Sequence, residues 1–425
     1  MTHDDTPRAG WLGPWLKGFP ALQAPLPLAD VAQRGWRLDE LPTPLAVVRQ
    51  SALAHNIAWM QAFAERHGVQ MAPHGKTTMS PELFRRQLEA GAWGLTFANV
   101  HQLRLGLAAG ARRALIANQL VSAADLAELL DLRRRHAGLE LAFFVDSQAQ
   151  LDLIAAHWVQ LGTGEAKLDV LIELGTSRCG VRDHDTALAL ARALQSHPAL
   201  RLRGVGFYEG LQVVGETAPD TALMQQWQGR IETLLAAIEA EGLIAVQPLW
   251  LSGGGSALFD LVAPVLRERP GRVGLLRSGC YVCHDHAHYG RYLQPMDARM
   301  GTPLSQPSLQ PALEVWTQVL SCPEPGLALL NAGRRDVSFD QGWPVPVWHL
   351  AGSERVAAPS GWQVTGLNDQ HAYLRWDPAE TDGPAVGERV ALGPSHPCTT
   401  FDKWAWMAVA DDADRVVDAI TTQFS

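Results

Sequence analysis

The chain has 425 residues, 47% hydrophobic and 19% charged, with a formal net charge of −9. This is ordinary globular composition, long enough for a large core and two domains, and the acidic balance argues against nucleic acid or an anionic membrane as main partner. Five cysteines do not read as a disulfide framework, and no stretch has the apolar run of a signal peptide or of a membrane span, so a cytoplasmic protein is expected.

The segment Pro42 to Val48 is strand-like. Val69 to Pro73 is a short apolar run ending in the loop His74-Gly75-Lys76-Thr77-Thr78. A helix follows, with Ser80 as N-cap, Pro81 in its first turn and Gly91 closing it. Gly94 to Ala98 is the next strand, and Asn99 caps a helix that ends at Gly110. Ala114 to Ala117 is strand again, and Ser122 opens a capping box before a Leu-rich helix to His136. The alternation continues with strands Leu139 to Val145, Leu168 to Leu174, Leu202 to Phe207, Val246 to Leu251 and Val273 to Leu276. Helices lie between them near Ser147 to Trp158, Thr186 to Gln195 and Asp220 to Glu241. Eight strands alternating with helices predict a parallel (β/α)8 barrel, with a doubly wound sheet as the alternative.

After about Gly290 the texture becomes Pro- and Gly-rich with short β-like runs: Ala312 to Leu320, Gly326 to Asn331, Val345 to Leu350, His371 to Trp376 and Arg389 to Leu392. The expected division is residues 1–41 before the barrel, a barrel over 42–290 whose first strand may instead join the other domain, and a mostly β domain over 291–425.

In such a barrel the functional face lies at the C-terminal ends of the strands. The loops there are His74-Gly75-Lys76, Gly175 to Gly180, Tyr208-Glu209-Gly210, Ser252-Gly253-Gly254-Gly255-Ser256 and Arg277-Ser278-Gly279-Cys280-Tyr281. The last two follow strands seven and eight, where barrels commonly build a phosphate site, and their glycines let backbone N–H groups approach an anion. The plainer alternative is a flexible turn. Lys76 sits across the mouth, and a lysine facing a phosphate site suits pyridoxal phosphate (PLP), whose aldehyde forms a Schiff base with an amine. An ordinary solvated lysine is the alternative at this point.

These motifs resemble a known family. Ala72-Pro73-His74-Gly75-Lys76-Thr77 resembles the Pro-His-x-Lys-Thr segment of the D-threonine aldolase and D-serine dehydratase family, PLP enzymes of the alanine-racemase-like fold type III. Glu173 to Val181, Ser252 to Ser256, Leu276 to Tyr281 and Gly393-Pro394-Ser395-His396-Pro397-Cys398-Thr399-Thr400 resemble its strand end, phosphate loops and metal motif. The resemblance runs from about Pro42 to Trp404 and makes residues 1–41 an N-terminal extension. It implies that Lys76 is the Schiff-base lysine and moves the substrate α-proton. It places Arg178 and Tyr208 at the cofactor ring, and Gly254, Gly255, Ser256, Gly279 and Tyr281 at the phosphate. It also implies a homodimer.

His396 and Cys398 are two apart, and on an extended chain both would face one ion. Imidazole plus thiolate suits Zn²⁺. The family's aldolases resemble His-x-Asp here and its dehydratases His-x-Cys. The expected activity is therefore a zinc-dependent dehydratase of D-3-hydroxy amino acids, giving a 2-oxo acid and ammonia. A retro-aldol lyase and a non-catalytic PLP-binding protein are the alternatives. The run Cys280-Tyr281-Val282-Cys283-His284 has the spacing of a haem c attachment or a second zinc site, and the resemblance makes it the phosphate-loop exit. His74 is a neighbour able to tune Lys76 or simply to pack. Arg334 and Arg335 are weighed as carboxylate binders against solvated residues. Asp369 and His371 lie in a stretch where Gln370 departs from the family's Glu-His pattern.

Overall fold

The computed structural model describes residues 10–161, 167–303, 305–352 and 354–424. After strand β1 (Leu45–Arg49) come β2 (Gln70–Met71), β3 (Leu95–Phe97), β4 (Arg113–Gln119), β5 (Glu140–Val145), β6 (Leu168–Leu174), β7 (Leu200–Phe207), β8 (Leu249–Gly253) and β9 (Arg272–Leu276). Strands β2 to β9 form one eight-stranded parallel sheet in the order β2-β9-β8-β7-β6-β5-β4-β3. Its two end strands meet: Trp93 donates to the Met71 carbonyl and Thr96 to that of Pro73, each at 2.8 Å, and His74 bridges to Thr96. The sheet is thus a nearly closed barrel, and the doubly wound alternative falls.

The alternation of side chains explains why these runs read as continuously apolar. Ala142 and Phe144 point into the barrel with Leu115, Leu171 and Trp250, while Phe143 and Val145 face outward into the helix layer. Both faces are buried, so both parities are hydrophobic. Helices α1 (Gln50–His67), α2 (Pro81–Glu89), α3 (Val100–Ala108) and α4 (Ala123–Arg135) begin the outer ring. The last three start where their caps predict: Ser80 Oγ accepts from Leu83 N–H at 3.4 Å, Asn99 Oδ1 from Gln102 at 2.9 Å, and Ser122 Oγ from Ala124 at 3.2 Å. Strand β8 begins at Leu249, three residues later than read from Val246, because Pro248 has no N–H to donate to a ladder.

The C-terminal sheet comprises β10 (Leu313–Glu324), β11 (Leu327–Leu330), β12 (Val345–Ala351), β13 (Glu354–Ala357), β14 (Gln363–Leu367), β15 (Ala372–Arg375), β16 (Arg389–Gly393), β17 (Trp406–Ala410) and β18 (Val416–Thr421). Strand β1 pairs with β10 and β17, so it lies in this sheet and not in the barrel. The helix Gly290–Met300 lies where a β texture was expected, and its internal Pro295 explains the misreading. Residues 10–41 lie on the sheet's outer face, where Leu12, Phe19 and Val31 pack with Trp316 and Trp406. Among the described residues no helix is long and apolar enough to cross a membrane.

Candidate active site

The barrel rim opens on a cavity of about 650 Å³. His74 and Lys76 enter it from the loop after β2, Glu173 and Arg178 from β6 and its loop, and Tyr208 from after β7. Gly254, Gly255 and Ser256 follow β8; Arg277, Gly279 and Cys280 follow β9; His396 and Cys398 arrive from the C-terminal domain. Nine of the ten residues singled out in the sequence therefore share one cavity. Tyr281 does not line it: its hydroxyl accepts from Gln87 Nε2 at 3.0 Å under α2, and burial pushes its pKa up.

Lys76 is carried on a single 3-10 turn, Gly75–Thr77. The turn lies so close to Phe97 and Phe84 that a Cβ on Gly75 would stand 2.7 Å from one ring and 2.9 Å from the other. Among the described residues the Lys76 ammonium has no hydrogen-bond or ion-pair partner. His74 beside it has a buried, unpartnered Nδ1, and burial together with the Lys76 charge holds its pKa well below the usual histidine range.

The loops after β8 and β9 are stitched together. Ser256 Oγ accepts from Cys280 N–H at 3.1 Å, and Ser278 Oγ donates to the Gly255 carbonyl at 3.0 Å. Gly254 takes φ +91°, which favours glycine, and a Cβ on Gly279 would lie 2.5 Å from Thr77 Oγ1 and 2.8 Å from the His74 carbonyl. The Gly255 N–H points at Glu209 Oε1 at 2.9 Å, so this donor is already engaged by a buried carboxyl whose pKa burial raises. A glycine-built concavity facing an unpaired lysine amine fits PLP. The Arg178 guanidinium stands 5.1 Å from the centre of the Tyr208 ring, and burial with the neighbouring Glu209 pushes the Tyr208 hydroxyl up to about 12.

Arg277, in sequence only one member of the loop after β9, is a buried cation at the barrel mouth. It donates to Ser252 Oγ at 2.9 Å and to the Phe207 carbonyl at 2.7 Å, and burial lowers it to about 10 against the pull of Glu173 and Glu209. The available signal was an arginine directly after a strand end.

The second centre lies at the domain boundary. Cys280 Sγ and Cys398 Sγ are 3.5 Å apart, and these sulfurs and a His396 ring nitrogen all lie within 4.8 Å of one another. His396, on the cavity wall, has its Nδ1 2.7 Å from Asp340 Oδ2, and Asp340 Oδ1 accepts from Thr399 Oγ1 at 2.6 Å. Burial would lower the His396 imidazole, but the Cys398 sulfur and Asp340 raise it to about 9. The hydrogen bond from Cys280, then His396, holds the Cys398 thiol well below its ordinary value. Two sulfurs and an imidazole oriented by a carboxylate suit zinc. His396 and Cys398 do not converge by strand geometry: Pro397 is helical at φ −60° and ψ −45°, and the short helix Cys398–Phe401 starts at once. The turn, not an extended chain, brings them together. Asp340, 56 residues away, had no local signal.

The remaining candidates fall elsewhere. Cys283 is buried in the main core and His284 Nδ1 bonds the Asp285 carbonyl at 2.9 Å, so the Cys280-to-His284 run does not converge on one ion. Arg335 and Asp369 form a solvent-exposed pair at 3.7 Å, and Arg334 and His371 are also outside the cavity wall.

A barrel whose strand ends present a lysine against a glycine cradle, with a β domain closing the mouth, defines the class of alanine-racemase-like PLP enzymes. Residues 48–281 match the family described as alanine racemase, N-terminal domain, and residues 312–410 the family described as putative serine dehydratase domain. The chain is 30% identical over 387 residues to a D-threonine aldolase of Arthrobacter sp, covering 91% of this chain and 93% of that protein. It is 30% identical over 394 residues to a D-threo-3-hydroxyaspartate dehydratase of Delftia sp. (strain HT23), covering 88% and 95%. The crystal structure of D-threonine aldolase from Filomicrobium marinum superposes with a TM-score of 0.77 at 25% identity, covering 91% and 97%. The chain belongs to the D-threonine aldolase and D-serine dehydratase family of fold type III PLP enzymes.

Proposed function

We propose that the protein is a PLP- and zinc-dependent lyase that dehydrates D-3-hydroxy amino acids of the D-serine or D-threonine type to a 2-oxo acid and ammonia. The observation that carries this is the meeting of two centres in one cavity. Thr77, the neighbour of Lys76, has its Oγ1 3.5 Å from Cys398 Sγ, so the amine-bearing loop adjoins the sulfur-imidazole cluster.

Lys76 would hold PLP, which would supply an electron sink for the pair left at the substrate α-carbon. His396 and Cys398 would hold the zinc, which would supply Lewis acidity at a β-hydroxyl. The Lys76 amine takes the α-proton as general base. Arg178, 5.1 Å from the centre of the Tyr208 ring, and Tyr208 would wall the cofactor ring, and the loops Gly254–Ser256 and Ser278–Gly279 would hold its phosphate. Asp340 fixes the His396 ring so that one nitrogen faces the ion.

Incubation of the purified protein with D-serine and with D-threonine, with and without chelator, tests the reading. The expected outcome is 2-oxo acid and ammonia in a 1:1 ratio, lost on chelation while the cofactor's visible absorbance persists. Glycine plus aldehyde would replace the dehydratase by the second reading, a retro-aldol lyase. That reading is favoured by the Arthrobacter relative and by His288, which lines the cavity beside His396 as a potential acceptor of the hydroxyl proton. The same purification, by light scattering, tests the homodimer that the resemblance implies.

A further inference from the structure

We propose that Cys280 is a third protein ligand of the metal, making the centre a Cys₂His site with one open coordination position. This rests on the metal-dependent reading above and goes beyond the His-x-Cys pair that the sequence motif supplies. Two thiolates on one tetrahedral zinc, each about 2.3 Å from it, stand roughly 3.8 Å apart. Cys280 Sγ and Cys398 Sγ are 3.5 Å apart, and the histidine nitrogen completes a triangle whose sides all lie within 4.8 Å. An ion between the three needs only a small adjustment of rotamers.

The Cys280 side chain is aimed there by its backbone. Its N–H is held by Ser256 Oγ at 3.1 Å, at the start of the 3-10 turn Cys280–Val282. Cys283, three residues on, lies in the main apolar core. The Thr77 hydroxyl is 3.5 Å from Cys398 Sγ and 3.9 Å from Cys280 Sγ, so one polar group adjoins both sulfurs. Three protein ligands and one open position is the usual composition of a catalytic zinc site, whereas two ligands fall short of it. Two thiolates also select zinc over magnesium, manganese or calcium, which prefer oxygen ligands. A single vacancy admits one substrate oxygen, which is what departure of a β-hydroxyl requires. The three ligands come from two domains, Cys280 from the barrel and His396 and Cys398 from the β domain, so the ion would also clamp the cavity closed.

The test uses the full-length, PLP-loaded protein reconstituted with zinc. X-ray absorption at the zinc edge is expected to show two sulfur scatterers in the wild type and in Cys283→Ser, and one in Cys280→Ser. With cobalt in place of zinc, the sulfur-to-metal charge-transfer band should fall by about half in Cys280→Ser, as one of two thiolates is lost. The cofactor's visible absorbance should persist in that variant, which reports an intact barrel. Zinc affinity should fall by more than the roughly 10- to 100-fold that loss of an outer-shell partner costs. A single sulfur scatterer in the wild type overturns the assignment while leaving a metal-dependent lyase intact. A PLP-loaded wild type that retains no zinc overturns both.

Discussion

Lys76 and the sulfur-imidazole cluster are separable by substitution. Lys76→Ala should remove the cofactor's visible absorbance and lower kcat/KM for dehydration at least about 10³-fold, because anchor and base are lost together. Spectra and a 2-oxo acid assay check this, and retention of either signal would remove Lys76 from its role. Asp340 makes the opposite prediction. Asp340→Asn should keep the cofactor spectrum and weaken zinc binding by roughly 10- to 100-fold in chelator competition, because the carboxylate sets the His396 ring from behind. An unchanged zinc affinity would mean that Asp340 merely packs there.

The loops, rather than the strands, decide what the cavity can hold. Gly279 shows why a glycine is needed at one such position: a Cβ there would meet Thr77 Oγ1 at 2.5 Å, the His74 carbonyl at 2.8 Å and His74 Cβ at 3.1 Å. Two of these contacts are with His74, immediately before the lysine turn. Gly279→Ala should therefore cost about 1–3 kcal/mol in urea unfolding, the usual range for overpacking, and should loosen PLP retention on dialysis. Wild-type stability with wild-type retention would show that the two loops have room to part. The glycine triplet after β8 was read as a phosphate cradle, but the Gly255 N–H already serves Glu209, so it takes part only if that carboxyl lets go.

Across the molecule, the β domain, strand β1 included, is tied together by a buried ionic network. Arg49 at the end of β1 donates to Glu314 of β10 at 2.9 Å and to Asp414 at 2.6 Å, while the indoles of Trp316 and Trp348 donate to the two Glu314 oxygens at 2.9 and 2.8 Å. Burial alone would raise the Glu314 carboxyl, but the Arg49 charge and these hydrogen bonds hold it below its usual value. A carboxylate lowered in the folded state adds stability above its unfolded pKa of about 4.3 and loses it as pH falls through the lower folded value. Glu314→Gln leaves Arg49 buried with one partner fewer and should cost about 3 kcal/mol near neutral pH. The gap in Tm between wild type and variant should narrow as the solution is acidified. A gap constant from pH 7 to pH 3 would show that Glu314 acts through shape alone.

The order of elements was legible because it is written locally. Caps at Ser80, Asn99 and Ser122 sit next to the N–H groups they satisfy, and the eight runs of the barrel are each a contiguous apolar segment. The lysine and glycine loops were legible for the same reason, each being a short contiguous motif at a strand end. Convergence across distance was not. Asp340 reaches His396 over 56 residues, and Cys280 reaches Cys398 over 118, with nothing in either segment to announce the partner. Strand β1 likewise left the barrel for the distant sheet, because its pairing partners β10 and β17 lie more than 250 residues downstream. The sequence alone determined the barrel, the β domain behind it and, through its short motifs, the family to which the chain belongs. Only the tertiary structure decided which sulfurs, imidazole and carboxylate share a site, because hydrogen-bond and ligand geometry act over a few ångströms of space and leave no trace at that range along the chain.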